Sequence, residues 1–285
     1  MKQVVKPILS EWNDLPVDVN SEFDVIYAIG DVHGMKNLLD HHHATIDAIS
    51  KNDQNICVVH LGDYIDRGPD PVACLRSALT YKRDRTKTIV LPGNHEQFLH
   101  DVVTKRDVGL AKYWIKTSGL STIMDTGLFE KQRHKMHPTK ILIDDEKIAF
   151  IIDKLADFFD EDIKALKGLP AGAMIGNLVF LHAGVPYNRQ PHEMLNYPWS
   201  ELGNHPNRSA AQKSPLWVRS DFLDRTKPFK DGKLVVHGHT IFDEPIMTPT
   251  RLSLDTGAFN SNCLTMAEIR NNKVRFHTTD IYYKR

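Results

Sequence analysis

The chain has 285 residues, with 36 Lys+Arg balanced by 36 Asp+Glu and only three cysteines. Balanced charge gives no electrostatic reason to expect nucleic acid or an anionic membrane as partner. The sparse, unpaired cysteines point to a reducing compartment. No apolar run approaches the roughly 18 residues that span a bilayer, and the start lacks an apolar stretch of leader length, so a cytoplasmic location is expected.

Residues 1–23 are polar, carry Trp12 and two prolines, and read as an N-terminal strap with little regular structure. Residues 24–285 read as one domain, because its candidate site residues run from Asp31 to His239 and must converge. The apolar run 25–29 ends at Gly30-Asp31-Val32-His33-Gly34 and is followed by helical spacing from Met35 to Ser50. The run 56–61 ends at Gly62-Asp63-Tyr64-Ile65-Asp66-Arg67-Gly68. A second helix over 72–79 then starts near Pro71. The run 88–91 leads into Gly93-Asn94-His95-Glu96, with a third helix over 97–104. Short β-branched runs bounded by glycine read as buried strands. Strand, polar loop and helix in threefold succession predict parallel βαβ units with the polar residues at strand C-terminal ends.

The rhythm breaks over 107–165, which reads as a helical insertion with a basic run at 131–140, taken as a solvated face, and a helix over 145–167. Two further strands, 178–181 and 234–236, lead into His182-Ala183-Gly184 and His237-Gly238-His239-Thr240. Between them, 187–214 reads as a long surface loop over the site. Segments 248–256 and 264–269 read as antiparallel strands and 274–283 as a closing strand. Two packed sheets with helices outside is the simplest α/β architecture. Cys57 reads as a small buried hydrophobe. His41-His42-His43 reads as a partly solvated helix face, since successive helical residues point about 100° apart.

Five such blocks form one ligand list. Asp31 and His33 at i and i+2 can face one pocket. Asp63 can bridge two cations, Asn94 offers a carbonyl oxygen, and His182 and His239 offer imidazole nitrogens. This oxygen and nitrogen set suits Mn, Fe or Zn and suits Ca poorly. Two such ions about 3.5 Å apart lower the pKa of a bridging water and neutralise phosphoryl oxygens, which fits in-line hydrolysis of a phosphate ester. Arg67 is placed to grip phosphate oxygens. His95, next to the ligand Asn94, can protonate a leaving alkoxide, with Asp66 as the carboxylate that fixes its tautomer.

In combination these blocks resemble the phosphoprotein phosphatases of the calcineurin-like metallophosphoesterase superfamily, with bacterial and phage serine/threonine protein phosphatases as the nearest pattern. Ser214-Pro215-Leu216-Trp217-Val218-Arg219 and Leu254-Asp255-Thr256-Gly257-Ala258 extend the resemblance over 24–270. It implies a sandwich of two mixed β-sheets flanked by helices. It also implies two divalent ions, manganese in vitro with iron or zinc natively. Asp31, His33 and Asp63 would hold the first; Asp63, Asn94, His182 and His239 the second. Arg67, Arg219 and Asn94 would bind substrate phosphate. Asp66 would pair with His95, the general acid, while a metal-bridging hydroxide attacks. The pattern Gly238-His239-Thr240-Ile241 lacks the further histidine of broader superfamily members. It makes His239 the ligand, and His237 a residue that supports the ligands from behind or packs in the strand.

The implied substrate is a phosphorylated protein or peptide, with inorganic phosphate as product and no nucleic acid or membrane partner. Phosphotyrosine and aryl phosphates are further substrates to consider. A diadenosine tetraphosphatase or an RNA or nucleotide phosphatase would share the metal blocks. A catalytically inactive scaffold would not need His95, Asp66 and both arginines.

Overall fold

The computed structural model describes residues 2–129, 144–201 and 212–284 of the chain. Among them, two mixed sheets pack face to face. The first has the order β1 (Lys2–Leu9), β12 (Lys273–Lys284), β11 (Thr265–Arg270), β3 (Val25–Ile29), β4 (Ile56–His60), β5 (Thr86–Val90), with β2 (Asn13–Asp14) also on β12. Strands β3, β4 and β5 run parallel, and β11 closes antiparallel on β3. The second sheet has the order β6 (Gly172–Ile175), β7 (Leu178–Leu181), β8 (Leu234–His237), β10 (Arg251–Ser253), β9 (Ile246–Met247).

Alternation along each strand divides the core, because successive side chains point to opposite faces. Ile26 and Ala28 of β3 and Cys57 and Val59 of β4 meet Leu178, Phe180, Leu234, Val236 and Leu252 of the other sheet. Val25, Tyr27, Ile29 and Val58 face the helices instead, against Leu38, Leu39, Leu75 and Leu99. Both faces are therefore covered, which is why these strands read as unbroken apolar runs. Cys57 is buried, and burial pushes its thiol up to about 12.

The three crossover helices are α1 (Lys36–Ile49), α2 (Pro71–Thr80) and α3 (Asn94–Lys105). Helix α3 starts three residues earlier than the apolar spacing predicts, so Asn94 and His95 sit in its first turn rather than in the loop before it. The insertion is helical where it is described: α4 (Val108–Trp114), a π turn (Ile115–Gly119), α5 (Leu120–Asp125), α6 (Asp145–Phe158) and α7 (Asp160–Lys167). The single helix expected over 145–167 is broken at Phe159. Asp160, Glu161 and Asp162 occupy the first turn of α7, where acidic residues favour a new helix start. The basic run 131–140 lies outside the described residues.

Three other expectations are corrected. The N-terminal strap is a strand: residues 2–9 pair antiparallel with 277–284, a partnership across the whole chain that local pattern cannot reveal. The segment 248–256 yields only β10 with β9 beside it, and β10 runs parallel to β8. The described part of the 187–214 loop is not all surface, since Met194 and Trp199 are buried and the Trp199 indole N–H donates to Leu169 O at 3.0 Å. Among the described residues no helix is long and apolar enough to cross a membrane.

The histidine triplet is also corrected. His42 and His43 are buried rather than solvated, because α1 lies on the first sheet. His42 Nε2–H donates to Leu264 O at 2.9 Å. His43 and His60 share one proton across 2.9 Å between their Nε2 atoms, and His43 stacks on Tyr81. Burial pulls His42 and His60 down to about 3 and His43 to about 4. Histidines held neutral in the fold contribute stability above their unfolded pKa near 6.5, and that stability is lost as pH falls below it. Each is expected to withdraw up to about 2 kcal/mol at pH 5. Urea midpoints should fall steadily from pH 7 to pH 5; a flat profile would contradict the buried neutral assignment.

Candidate metal centre

The predicted ligands meet at the C-terminal ends of β3, β4, β7 and β8 and in the first turn of α3. Asp63 lies at the middle. Its Oδ2 is 3.4 Å from His33 Nε2 and 3.5 Å from His182 Nε2, while its Oδ1 accepts the His95 backbone N–H at 3.0 Å. One carboxylate oxygen thus faces two ligand sets. The donor atoms that lie closest together are those of His33, Asp63 and His95, a group that holds His95 and not the predicted Asp31, and those of Asp63, His182 and His239. Asn94 Oδ1 joins the second, 3.1 Å from His182 Nε2 and 2.8 Å from His239 Nδ1.

Backbone carbonyls set the tautomers. His33 Nδ1–H donates to Ile65 O at 2.8 Å, and His182 Nδ1–H donates to Leu61 O at 2.8 Å. Each ring then presents a bare Nε2 lone pair to the centre, the arrangement of metal-binding histidines. Asp31 accepts the His239 backbone N–H at Oδ2 (2.9 Å), while its Oδ1 is buried with no hydrogen-bond partner, as is His239 Nε2. Burial and the nearby charges of Asp255 and Asp63 drive the Asp31 carboxyl well above the ordinary range. Buried carboxylates that repel one another, beside bare imidazole nitrogens, suit divalent first-row cations. The residues present fit the metals their chemistry implies.

Asp63 itself is held well below the ordinary carboxyl value: burial opposes this, but His182 and His95 outweigh it. His95 Nδ1–H donates to Asp66 Oδ2 at 2.6 Å. Burial lowers the His95 pKa, but Asp63 and Asp66 outweigh that and raise it above the usual histidine value. Its Nε2 lies 3.9 Å from Asp63 Oδ2 and 3.4 Å from an Arg67 guanidinium nitrogen. The Arg67 guanidinium lies 4.5 Å over the Phe259 ring, and Arg219 donates to Thr240 Oγ1 at 3.0 Å. Both arginines are exposed at the site mouth. Partial desolvation against the site lowers the Arg219 pKa although the residue as a whole is exposed, and the charges of Asp63, Asp31 and Asp255 oppose that shift.

Packing explains the glycines that flank the ligands. A Cβ on Gly93 would come within 2.0 Å of Asp63 Oδ1, and one on Gly238 within 1.8 Å of Asp31 Oδ1. Five site residues also take left-handed backbone: His33 (φ 43°), Asp63 (54°), Asp66 (71°), Arg67 (68°) and His239 (66°). That conformation costs about 1–2 kcal/mol for a residue with a Cβ, so the surrounding packing must hold it.

Glu96 supplies part of that hold, and sequence reasoning gave it no role. Its carboxylate accepts the backbone N–H groups of Asp63 (2.8 Å), Tyr64 (2.8 Å), Ile65 (3.2 Å) and Gly93 (2.8 Å). Burial, then the charge of Asp63, pushes its pKa up to about 7. Its place three residues after Gly93, as in a capping box, was the available signal. Asp255 was likewise passed over. It accepts the Gly257 N–H at 2.9 Å and adds a third buried carboxylate beside Asp31 and Asp63.

His237 stands apart from the ligands. Its Nε2 lies 2.7 Å from Ser253 Oγ on β10, and its ring packs edge-on to Phe222. His239→Ala is expected to lose metal at the second set, whereas His237→Ala keeps both ions and appreciable activity. Metal content of the two variants decides this; equal loss from both would overturn it.

A family model described as calcineurin-like phosphoesterase matches residues 25–243, a span that holds every candidate ligand from Asp31 to His239. The fold is similar to that of a cold-active protein-tyrosine phosphatase from a psychrophilic Shewanella species, with 16% identity and a TM-score of 0.54 over 89% of this chain and 77% of that one. It is also similar to a protein serine/threonine phosphatase from Saccharomyces cerevisiae, with 12% identity and a TM-score of 0.54 over 93% of this chain and 82% of that one. At these identities the likeness is one of fold. No curated protein matches the sequence significantly.

Proposed function

The chain belongs to the calcineurin-like phosphoesterase family, and from that premise we propose that it is a serine/threonine protein phosphatase, with inorganic phosphate as its second product. The observation that carries the reading is the 2.6 Å pair of His95 Nδ1 and Asp66 Oδ2 beside the ligand set. An alkoxide is a poor leaving group and needs a proton as it departs. The phosphate expelled from a dinucleoside polyphosphate has far less need of one. A buried histidine with a carboxylate behind it therefore favours monoesters of serine and threonine over anhydrides.

In this reading Asp31, His33 and Asp63 hold one divalent ion, and Asp63, Asn94, His182 and His239 the other, with manganese effective in vitro. The ions supply positive charge to the phosphoryl oxygens and make water a stronger nucleophile. A water oxygen bonds to phosphorus as the phosphorus–oxygen bond to the seryl side chain breaks; the water's protons leave with the phosphate, and one proton returned through solvent restores His95. The electron pair leaves with the seryl oxygen, which takes its proton from His95 Nε2. Asp66 holds Nδ1–H and favours the imidazolium, the form that also carries a proton on Nε2. Three free cysteines accord with a cytoplasmic location.

One metal-loaded sample offered a phosphoserine peptide, an aryl phosphate and diadenosine tetraphosphate tests the substrate class. The two monoesters should turn over; cleavage of the tetraphosphate alone would overturn the reading. Arg67 and Arg219 should grip the phosphate without holding the metals. Charged hydrogen bonds contribute about 1.5–3 kcal/mol, so Arg219→Ala should weaken inhibition by inorganic phosphate about tenfold or more with metal content intact. Lys should restore only part, because a point charge lacks the two-pronged fork. Unchanged inhibition constants in both variants would remove Arg219 from the site.

A further inference from the structure

The Asp66 carboxylate is gripped from behind by the insertion. Besides His95, its Oδ2 accepts from Trp114 Nε1 at 2.7 Å and from Ser118 Oγ at 2.9 Å. Its Oδ1 accepts from Thr122 Oγ1 at 2.5 Å, and the Asp66 backbone N–H donates to that same oxygen at 3.0 Å. Trp114 and Thr122 are fully buried. All three side chains come from the continuous run α4, π turn and α5.

The π turn explains how one helix can present all three. In a regular α-helix each residue advances about 100°, so positions four apart drift by about 40° and positions eight apart by about 80°. Thr122 would then swing away from the carboxylate that Trp114 touches. The wider π turn over Ile115–Gly119 rotates less per residue and cancels part of that drift. Gly119 completes the fit: a Cβ there would lie 2.3 Å from the Trp114 indole. A π turn inside a helix is uncommon and tends to mark a functional site.

We propose that Trp114, Ser118 and Thr122 are positioning residues for proton delivery: they fix the Asp66 carboxylate so that it holds His95 Nδ1–H and keeps the ring turned with Nε2 toward the leaving oxygen. The inference rests on the reading of His95 as proton donor. It gives the insertion a role in the reaction with no contact to substrate. A buried carboxylate with one partner can rotate; with donors on both oxygens it has one orientation.

The test uses the full chain with manganese. Ser118→Ala, at a half-buried position, should lower kcat on a phosphoserine peptide about tenfold, the scale of one hydrogen bond to a charged group. KM and metal content should stay unchanged, and the loss on an aryl phosphate should be smaller. Thr122→Val should behave likewise, while Thr122→Ser, which keeps the hydroxyl, should retain activity. Trp114→Phe tests the indole N–H with the ring volume largely kept. In an Asp66→Asn background, adding Ser118→Ala should cost less than about twofold more, because residues acting through one partner are not additive. Equal losses on both substrates, or full additivity with Asp66→Asn, would overturn the proposal while leaving the His95 reading in place. If Asp66→Asn alone left phosphoserine turnover unchanged, the acid-pair reading would fall, and this inference with it.

Discussion

Asp63→Asn is expected to be the most damaging single change to the ligand set. The substitution keeps the side chain's shape, and its oxygen can still accept the His95 N–H that Asp63 Oδ1 accepts at 3.0 Å. The fold should therefore survive. What is lost is the charge of the one oxygen that faces both His33 and His182, at 3.4 and 3.5 Å. Both ligand sets weaken together, whereas any other ligand change touches one. Removing one preorganised electrostatic element commonly costs about 10²–10³ in kcat, and Asp63→Asn should reach at least that at saturating manganese. Manganese titrations of turnover should also shift to higher concentration. Near-normal turnover at the wild-type manganese concentration would refute the bridging assignment.

His95→Asn should lower kcat on a phosphoserine peptide by about 10²–10⁴, the usual contribution of a positioned general acid. The loss on an aryl phosphate should be smaller, because that leaving oxygen is already stable as an anion. Asp66→Asn should follow the same pattern more weakly, since the imidazole remains but is no longer held by a charged acceptor. Metal content should be little changed in either variant. His95 does lie in one geometric group with His33 and Asp63, so metal loss from His95→Asn would mean that it is a ligand instead. An equal fall on both substrates would also count against the acid role.

The candidate ligands were legible because each block sits directly after a strand, fully buried in β3, β4, β7 and β8 and only half-buried in β5. Parallel neighbours bring their C-terminal ends to one edge, so Asp31 and Asp63 could be placed together on the first sheet, and His182 and His239 on the second, from local pattern. The supports around them were not legible in that way. Glu96 binds backbone 31 to 33 residues away. Trp114, Ser118 and Thr122 reach Asp66 across 48 to 56 residues. Such contacts depend on how helices dock, which apolar spacing does not encode. The same limit explains the N-terminal strand, whose partner lies at the other end of the chain, and the histidine triplet. Three consecutive histidines look polar, yet two of them face the sheet and find a carbonyl and a second histidine there. Left-handed backbone at five site residues was also invisible, because none of the five is glycine.

The central claim is that one carboxylate joins two ligand sets into a dinuclear centre, and metal stoichiometry tests it most directly. Chelator-treated protein titrated with Mn²⁺ should bind two ions per chain, with activity abolished by the chelator and restored as the sites fill. One ion per chain, or turnover that persists after exhaustive chelation, would contradict it.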